Sequence, residues 1–244
     1  MLVPLAHDEW PLRFTLWDRL FAQPRAFVFA TEEERELVQR RFPNHGIDGP
    51  IAGIGVEPPP DVAPSRFRAQ TGIEEPFLLY VGRVDVAKGC DGLLADFARY
   101  RAAADAFPRL MLIGECHMKT DAGPQVTSLG AVDERTKWDA LAACDVFVMP
   151  SQYESLSISL LEAWTQARPV LVNARARALV GQCRRAGGGL WYANADEFAV
   201  SLQFLDPDLR ARLGRSGQRY VRECYKSSRV ADVYASVISR VIGK

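Results

Sequence analysis

The stretch from Met149 to Trp164, MPSQYESLSISLLEAW, decides the fold of this chain. The apolar run DVFV at 145–148 precedes it and predicts a buried parallel strand. Pro150 ends that strand, residues 151–154 form a polar turn, and an apolar-rich helix begins near 155–157. A helix N-terminus at the carboxyl end of a strand carries unpaired N–H groups and about half a positive charge. The stretch therefore predicts a seat for a phosphate or sugar oxygen.

One face of this predicted helix is polar. Ser155, Ser159, Glu162 and Gln166 recur at helical spacing, and Glu154 stands in the turn before them. The opposite face is apolar, with members Ile158, Leu160, Leu161, Ala163 and Trp164. A polar stripe on a single helix most often faces bulk water, and the alternative is that it faces a cleft.

Composition limits the classes of function. The chain has 244 residues, 48% of them apolar, and 30 basic residues balance 30 acidic ones, so no global field recruits nucleic acid. Its five cysteines are scattered, without a C-x-x-C pair, which favours free thiols in a reducing cytoplasm. No apolar run approaches the roughly 20 residues of a membrane span, and the first residues do not form a signal peptide.

Strands and helices alternate along the sequence, which predicts an α/β fold with a parallel sheet and helices on both faces. Before the proline-rich linker at 57–61 we expect strands at 2–6, 26–30 and 51–56 and a helix at 11–22. A second helix there starts with a capping box at Thr31. After the linker we expect strands at 77–81, 110–114, 126–129, 145–149, 169–173 and 190–192. The linker is the predicted domain boundary.

Two cations stand near the end of the strand at 77–81: Arg83 after Gly82, and Lys88 before Gly89 at the start of a helix. Cations oppose the dipole at a helix N-terminus, so an anion such as a diphosphate between them explains their presence. The alternative is two solvated cations beside Asp85 and Asp91. Neither a Walker loop nor a dinucleotide G-x-G-x-x-G motif occurs in this segment.

Taken in order, these motifs resemble the nucleotide-sugar domain of retaining GT-B glycosyltransferases of family 4, the group 1 glycosyltransferases. The resemblance rests on Gly82-Arg83 with Lys88-Gly89, a Leu-Ile-Gly, the run DVFVMPS, Glu154 and Glu162 seven residues apart, and Arg168-Pro-Val-Leu-Val. It covers about residues 75–205 well and the preceding segment less firmly. It implies a Rossmann-like donor domain at 61–225, a partial acceptor-side segment at 1–60, and a C-terminal helix at 226–244 that packs back on that segment.

The resemblance also implies roles for individual residues. Catalytic roles fall to Glu154 at the donor sugar, to Lys88 and Arg83 at the leaving diphosphate, and to His7 on the acceptor side. Donor binding falls to Gly82, Arg83, Lys88, Ser155, Leu156, Ser157 and Glu162, the last of these at the ribose. The implied reaction is hexose transfer from a nucleotide diphosphate sugar to a hydroxyl, on a glycan or lipid-linked acceptor, with retention. The implied donor is UDP- or GDP-linked, with no separate cofactor, metal or nucleic-acid partner.

The chain departs from the family pattern in three places. Ser155-Leu156-Ser157 replaces a glycine-containing segment, and Gln166-Ala167 stands where a glycine is expected before Arg168. A complete two-domain enzyme of this kind needs on the order of a hundred more residues in front. The alternative function is therefore a donor-binding module that is inactive alone and needs a partner subunit or a missing N-terminal domain. A sugar epimerase is a weaker alternative, and peripheral association with the inner membrane stays open.

Two further motifs suggest a metal and are better explained otherwise. Asp206-Pro207-Asp208 spells D-x-D, but its position predicts that Asp206 is an N-cap. Cys116-His117 has no third or fourth ligand nearby in sequence, which favours an ordinary loop.

Overall fold

The computed structural model describes residues 19, 21–103, 109–120 and 123–243, and in that part of the chain a six-stranded sheet forms the centre of the fold. Every neighbouring pair of strands is parallel, and the spatial order is β3-β2-β1-β4-β5-β6. The strands are β1 (Phe77–Val81), β2 (Arg109–Ile113), β3 (Val126–Ser128), β4 (Val146–Met149), β5 (Val170–Asn173) and β6 (Gly189–Tyr192). Helices cover both faces, which confirms the predicted Rossmann-like architecture.

The helices begin where the sequence supplies capping side chains. They are α1 (Glu32–Arg41), α2 (Pro64–Thr71), α3 (Cys90–Ala103), α4 (Glu134–Ala143), α5 (Ile158–Thr165), α6 (Arg177–Ala186), α7 (Ala195–Phe204), α8 (Pro207–Cys224) and α9 (Ser227–Ile242). Asp133 accepts a 2.7 Å hydrogen bond from the N–H of Thr136, and Asp206 accepts one of 2.7 Å from that of Leu209. The prediction that Asp206 caps a helix is confirmed.

The segment before the linker contains less sheet than expected. The predicted strands at 26–30 and 51–56 reduce to one isolated parallel bridge between Phe29 and Ile51, so the prediction of full strands was wrong. Pro50 has no N–H to donate, and Gly53 has a φ of 65°, which turns the chain out of the extended conformation. The strand predicted at 2–6 and most of the helix predicted at 11–22 lie outside the described residues.

Two contacts attach this segment to the rest of the chain. Val230 and Val237 on α9 are buried against Val28 and Ala52. On the other side, Arg185 of α6 forms hydrogen bonds of 2.6 and 2.9 Å with the carboxylate of Glu33. We keep the division into domains at residues 57–61 as a proposal.

The position of α5 is fixed by Trp164, which is fully buried. Its Nε1 donates a 2.9 Å hydrogen bond to the carbonyl of Gly188. A Cβ on Gly188 would lie 2.7 Å from Nε1, and one on Gly217 would lie 2.2 Å from Cδ1 of the same ring. The indole therefore fills space that is open only because both positions are glycine.

The turn after α5 holds a non-glycine residue in the left-handed region. Ala167 has a φ of 54°, and its N–H donates a 3.0 Å hydrogen bond to the carbonyl of Trp164. This is the position where the resemblance leads one to expect glycine. An L-residue pays roughly 1–2 kcal/mol for this conformation, because its Cβ crowds the following carbonyl.

We expect Ala167→Gly to raise the free energy of unfolding by about 1 kcal/mol, because glycine adopts the left-handed conformation without that cost. Urea unfolding at constant m-value measures the change. Ala235→Gly, at an exposed position within α9, is the matched control and should lower the stability by about 1 kcal/mol. If both substitutions destabilise the protein equally, the backbone strain at residue 167 is not real.

Candidate functional site

A cleft lies at the carboxyl ends of β1 and β4. The strand order reverses direction between these two strands, and in open parallel sheets such a point leaves a crevice suited to a ligand. The cleft has a volume of about 350 Å³. Its walls are residues 80–82 from the end of β1, Met149 from the end of β4, and the first turn of α5.

The N-terminus of α5 points its unpaired amides at this cleft. The Ser157 hydroxyl caps the helix by accepting a 3.2 Å hydrogen bond from the N–H of Leu160. The N–H groups of Ile158 and Ser159, in the first turn, have no carbonyl four residues back within the helix. Together with the helix dipole they make this a site for an anion or a sugar oxygen, as the sequence predicted.

The predicted polar face of α5 is only partly realised. Ser155 precedes the helix and does not line the cleft, whereas Ser159 and Glu162 do. Glu162 is 7% exposed, so at this residue the face turns to the cleft and away from bulk water. Ile158, which we assigned to the apolar face, is 45% exposed and also lines the cleft.

Lys88 and Glu154 meet across the cleft. The Lys88 Nζ lies 2.7 Å from Oε1 of Glu154, whose side chain is 13% exposed. A short 3₁₀ turn, Val86–Lys88, positions the lysine, and Asp85 caps that turn by accepting a 2.7 Å hydrogen bond from the N–H of Lys88. The ammonium group is thus held beside the first turn of α5 by the local structure after β1.

Arg83 does not reach the cleft in this structure. Its Nε donates to Oδ2 of Asp85, and its side chain is 54% exposed. Burial acts to raise the pKa of Asp85, but the hydrogen bonds from Arg83 and from the N–H of Lys88 outweigh it and lower that pKa. Lys88 therefore stands in the cleft and Arg83 stands beside it.

A second ion pair, which the sequence did not reveal, lies deeper in the cleft. The Lys137 Nζ, on α4, lies 2.8 Å from Oε1 of Glu162 and 2.9 Å from Oε2 of Glu134. Burial raises the pKa of Glu162, and the hydrogen bond and charge of Lys137 oppose that rise. For Lys137, burial acts to lower the pKa, but the bonds to Glu162 and Glu134 outweigh it and raise it.

The structure thus gathers most of the predicted site residues around one cleft. Gly82, Lys88, Glu154, Leu156, Ser157 and Glu162 line it. Arg83 and Ser155 lie outside its walls, and His7 lies outside the described residues. Among the described residues no group of three or more His, Cys, Asp or Glu side chains could hold a metal ion, and none of the described helices could cross a membrane.

Comparison with known proteins gives a consistent family. Residues 75–205 match the family model for glycosyl transferases group 1. The chain is 28% identical over 190 residues to the lipopolysaccharide core biosynthesis glycosyltransferase LpsE of Rhizobium meliloti, covering 73% of this chain and 54% of that protein. It is 36% identical over 121 residues to the sulfoquinovosyl transferase SQD2 of Arabidopsis thaliana, covering 46% of this chain and 22% of that protein. The chain thus spans about half the length of the first relative, and less of the second.

Solved structures show the same fold. Sucrose-phosphate synthase from Thermosynechococcus elongatus superposes with a TM-score of 0.79 at 22% identity, covering 93% of this chain and 61% of that one. Anabaena Alr3699/HepE in complex with UDP gives a TM-score of 0.79 at 15% identity, covering 98% of this chain and 72% of that one.

We expect Lys137→Met to raise the pKa of Glu162 further, because burial would then act without an opposing charge. The substitution should cost roughly 1–3 kcal/mol of unfolding free energy, by leaving a buried carboxylate unpaired. The folded-state pKa of Glu162 already lies above its unfolded value, so the loss should be full at pH above the folded pKa and shrink as pH falls through it. NMR titration of the Glu162 carboxyl and urea unfolding at about pH 4.5 and about pH 8 measure both effects.

The control for this prediction is the double variant Lys137→Met with Glu162→Gln, which removes the unpaired charge. It should recover part of the stability at the higher pH, and its stability should depend less on pH. An unchanged Glu162 pKa in the single variant would contradict the coupling.

Proposed function

This chain belongs to the group 1 glycosyl transferases, and from that premise we propose that its cleft binds a nucleotide diphosphate sugar. We propose that the protein transfers the sugar, a hexose, to a hydroxyl group with retention at the anomeric carbon. The observation that carries the proposal is the Lys88–Glu154 pair at the N-terminus of α5, inside the cleft where the strand order reverses.

The diphosphate is assigned to the space between Lys88 and the first turn of α5. The lysine supplies a full positive charge, and the helix N-terminus supplies partial charge through its free N–H groups. Negative charge builds up on the leaving diphosphate as the glycosidic bond breaks. Charges already fixed around it stabilise that state without reorganising, which is the electrostatic form of catalysis.

The donor sugar is assigned to the volume beside Glu154, Leu156 and Ser157. Glu154 can accept hydrogen bonds from sugar hydroxyls with the oxygen that Lys88 leaves free. Serines at 155 and 157 add hydroxyl groups near this volume, although the Ser157 hydroxyl is engaged in capping α5. The sugar that fits is therefore set by a segment whose side chains are specific to this sequence.

The ribose is assigned to Glu162. One oxygen of its carboxylate is taken by Lys137, which leaves the other to accept from two vicinal hydroxyls. Lys137 also holds the carboxylate in one orientation and offsets the cost of burying its charge.

Arg83 is assigned to the diphosphate only after it changes partner. Its present bond to Asp85 involves a half-exposed side chain, and such ion pairs contribute little. A diphosphate offers the guanidinium a bidentate partner of higher charge. Since Lys88, Arg83 and the helix N-terminus together supply positive charge, we propose that the donor binds without a metal or a separate cofactor.

The nucleotide is testable directly. Isothermal titration calorimetry with UDP, GDP and their hexose conjugates should detect one preferred nucleotide, and a ligand at 100 times its Kd should stabilise the fold by about 2.7 kcal/mol. Lys88→Ala should weaken binding at least about tenfold, the effect of losing a charge-assisted hydrogen bond. The control is Lys226→Ala, an exposed lysine at the start of α9. Equal affinity of the Lys88 variant and the control would refute the phosphate assignment.

Turnover separates this proposal from its alternative, a module that binds the donor but needs a partner subunit to act. Transfer from the preferred donor to a hydroxyl acceptor by the chain alone supports the enzyme, and the anomeric configuration of the product, from its NMR coupling, tests retention. Tight nucleotide binding with no transfer to any acceptor would favour the alternative.

A further inference from the structure

A second, larger hollow lies on the other side of Lys88 from the cleft. It has a volume of about 730 Å³ and opens at the carboxyl ends of β5 and β6, against the first turns of α3. Its polar walls come from Asp91, Asp96, Gln152, Asn173 and Tyr192, and we call it the β6 hollow. None of these residues has a role in the donor site described above.

Two buried groups in the β6 hollow lack hydrogen-bond partners in the described part of the chain. Tyr192 is 2% exposed, and no described residue bonds to its hydroxyl. The half-buried carboxylate of Asp96 is equally without a donor there. Burial, and then the charge of Asp96, raise the pKa of Tyr192, so the hydroxyl keeps its proton; burial raises the pKa of Asp96 as well. Polar groups left unpaired in a folded protein cost free energy, which a ligand that bonds to them would recover.

Two amide side chains add donors to the same wall. The carbonyl oxygen of Asn173 accepts a 2.9 Å hydrogen bond from the N–H of Arg175, and that of Gln152 accepts one of 3.1 Å from the Arg175 guanidinium. Each amide therefore has its NH₂ group free to donate into the hollow. Asp91, at the exposed rim, adds a second carboxylate acceptor.

The set of free groups defines the chemistry of the ligand. The hollow offers three donor groups, one hydroxyl and two amides, together with two carboxylate acceptors. A sugar matches this mixture, since each of its hydroxyls both donates and accepts. A phosphate does not match, because Asp91 and Asp96 would repel it, and the described residues place only these two acidic groups in the hollow, too few for a metal.

We propose that the β6 hollow binds an uncharged hexose residue of the acceptor. Lys88 lines both the hollow and the donor cleft, so a hexose bound here lies next to the donor across the Lys88–Glu154 pair. That this hexose is the acceptor rests on the proposed function, whereas sugar binding in the hollow does not.

Saturation-transfer NMR on the full chain tests the site with the methyl glycosides of glucose, galactose, mannose and N-acetylglucosamine as probes. Each probe is measured alone and again after UDP or GDP has been added to saturation. At least one probe should receive saturation, and the signal should persist with the nucleotide bound, because the hexose does not occupy the nucleotide part of the cleft.

Substitutions then locate the site. Tyr192→Phe and Asp96→Asn should each weaken the signal about threefold or more while leaving nucleotide affinity unchanged, since each removes one hydrogen-bonding function. Tyr234→Phe removes a hydroxyl on α9 and is the matched control, with no expected change. If Tyr192→Phe fails to fold, Gln152→Ala in the loop after β4 should weaken the signal in its place.

Three results would overturn the proposal: no probe receives saturation, nucleotide abolishes the signal, or the substitutions in the hollow leave it unchanged. A signal that nucleotide abolishes would assign the sugar to the donor cleft. The outcome for the donor is read separately. Nucleotide binding without glycoside binding removes only the β6 hollow, while glycoside binding that the variants weaken, without any nucleotide binding, retains the hollow and removes the proposed function.

Discussion

The packing of Trp164 against two glycines is the constraint on which the site depends. The indole is fully buried, bonds to the carbonyl of Gly188, and occupies the space that side chains at Gly188 and Gly217 would need. Helix α5 is therefore locked in position along its axis, since sliding would drive the ring into backbone atoms. Because the helix is short, fixing its last turn also fixes its first, and the free amides of that first turn stay at the carboxyl edge of the sheet.

On this frame the cleft is built from paired charges that different elements contribute. The turn after β1 supplies Lys88 for Glu154, and α4 supplies Lys137 for Glu162. Each pair offsets part of the cost of holding a carboxylate in a poorly solvated place, and each leaves carboxylate oxygens open to a ligand. A diphosphate entering the cleft would compete with Glu154 for Lys88, so donor binding and the position of Glu154 are coupled by the same ammonium group. On the far side of Lys88, the free groups of the β6 hollow carry the complementary chemistry of a neutral sugar.

The parts of this structure that follow from local patterns could be predicted from sequence. The strand at 146–149, the turn and the helix that follows are set by Pro150, by the cap at Ser157 and by apolar periodicity, and Asp206 caps its helix as expected. The parts that depend on distant partners could not. Lys137 looks like an ordinary surface lysine three residues after Glu134, and nothing local reveals a partner 25 residues further on. Arg83 was expected in the cleft, but Asp85, two residues away, is its partner here. In the segment before the linker, apolar runs suggested strands, while Pro50 and the left-handed turn at Gly53 limit them to one bridge.

A crystal structure of the chain with its preferred nucleotide is the most direct test of the central claim. We expect phosphate oxygens within hydrogen-bonding distance of the Lys88 ammonium and of the first-turn amides of α5, with the ribose hydroxyls on Glu162. A nucleotide bound elsewhere on the protein, with the Lys88–Glu154 pair intact and the first turn of α5 facing solvent, would contradict the account.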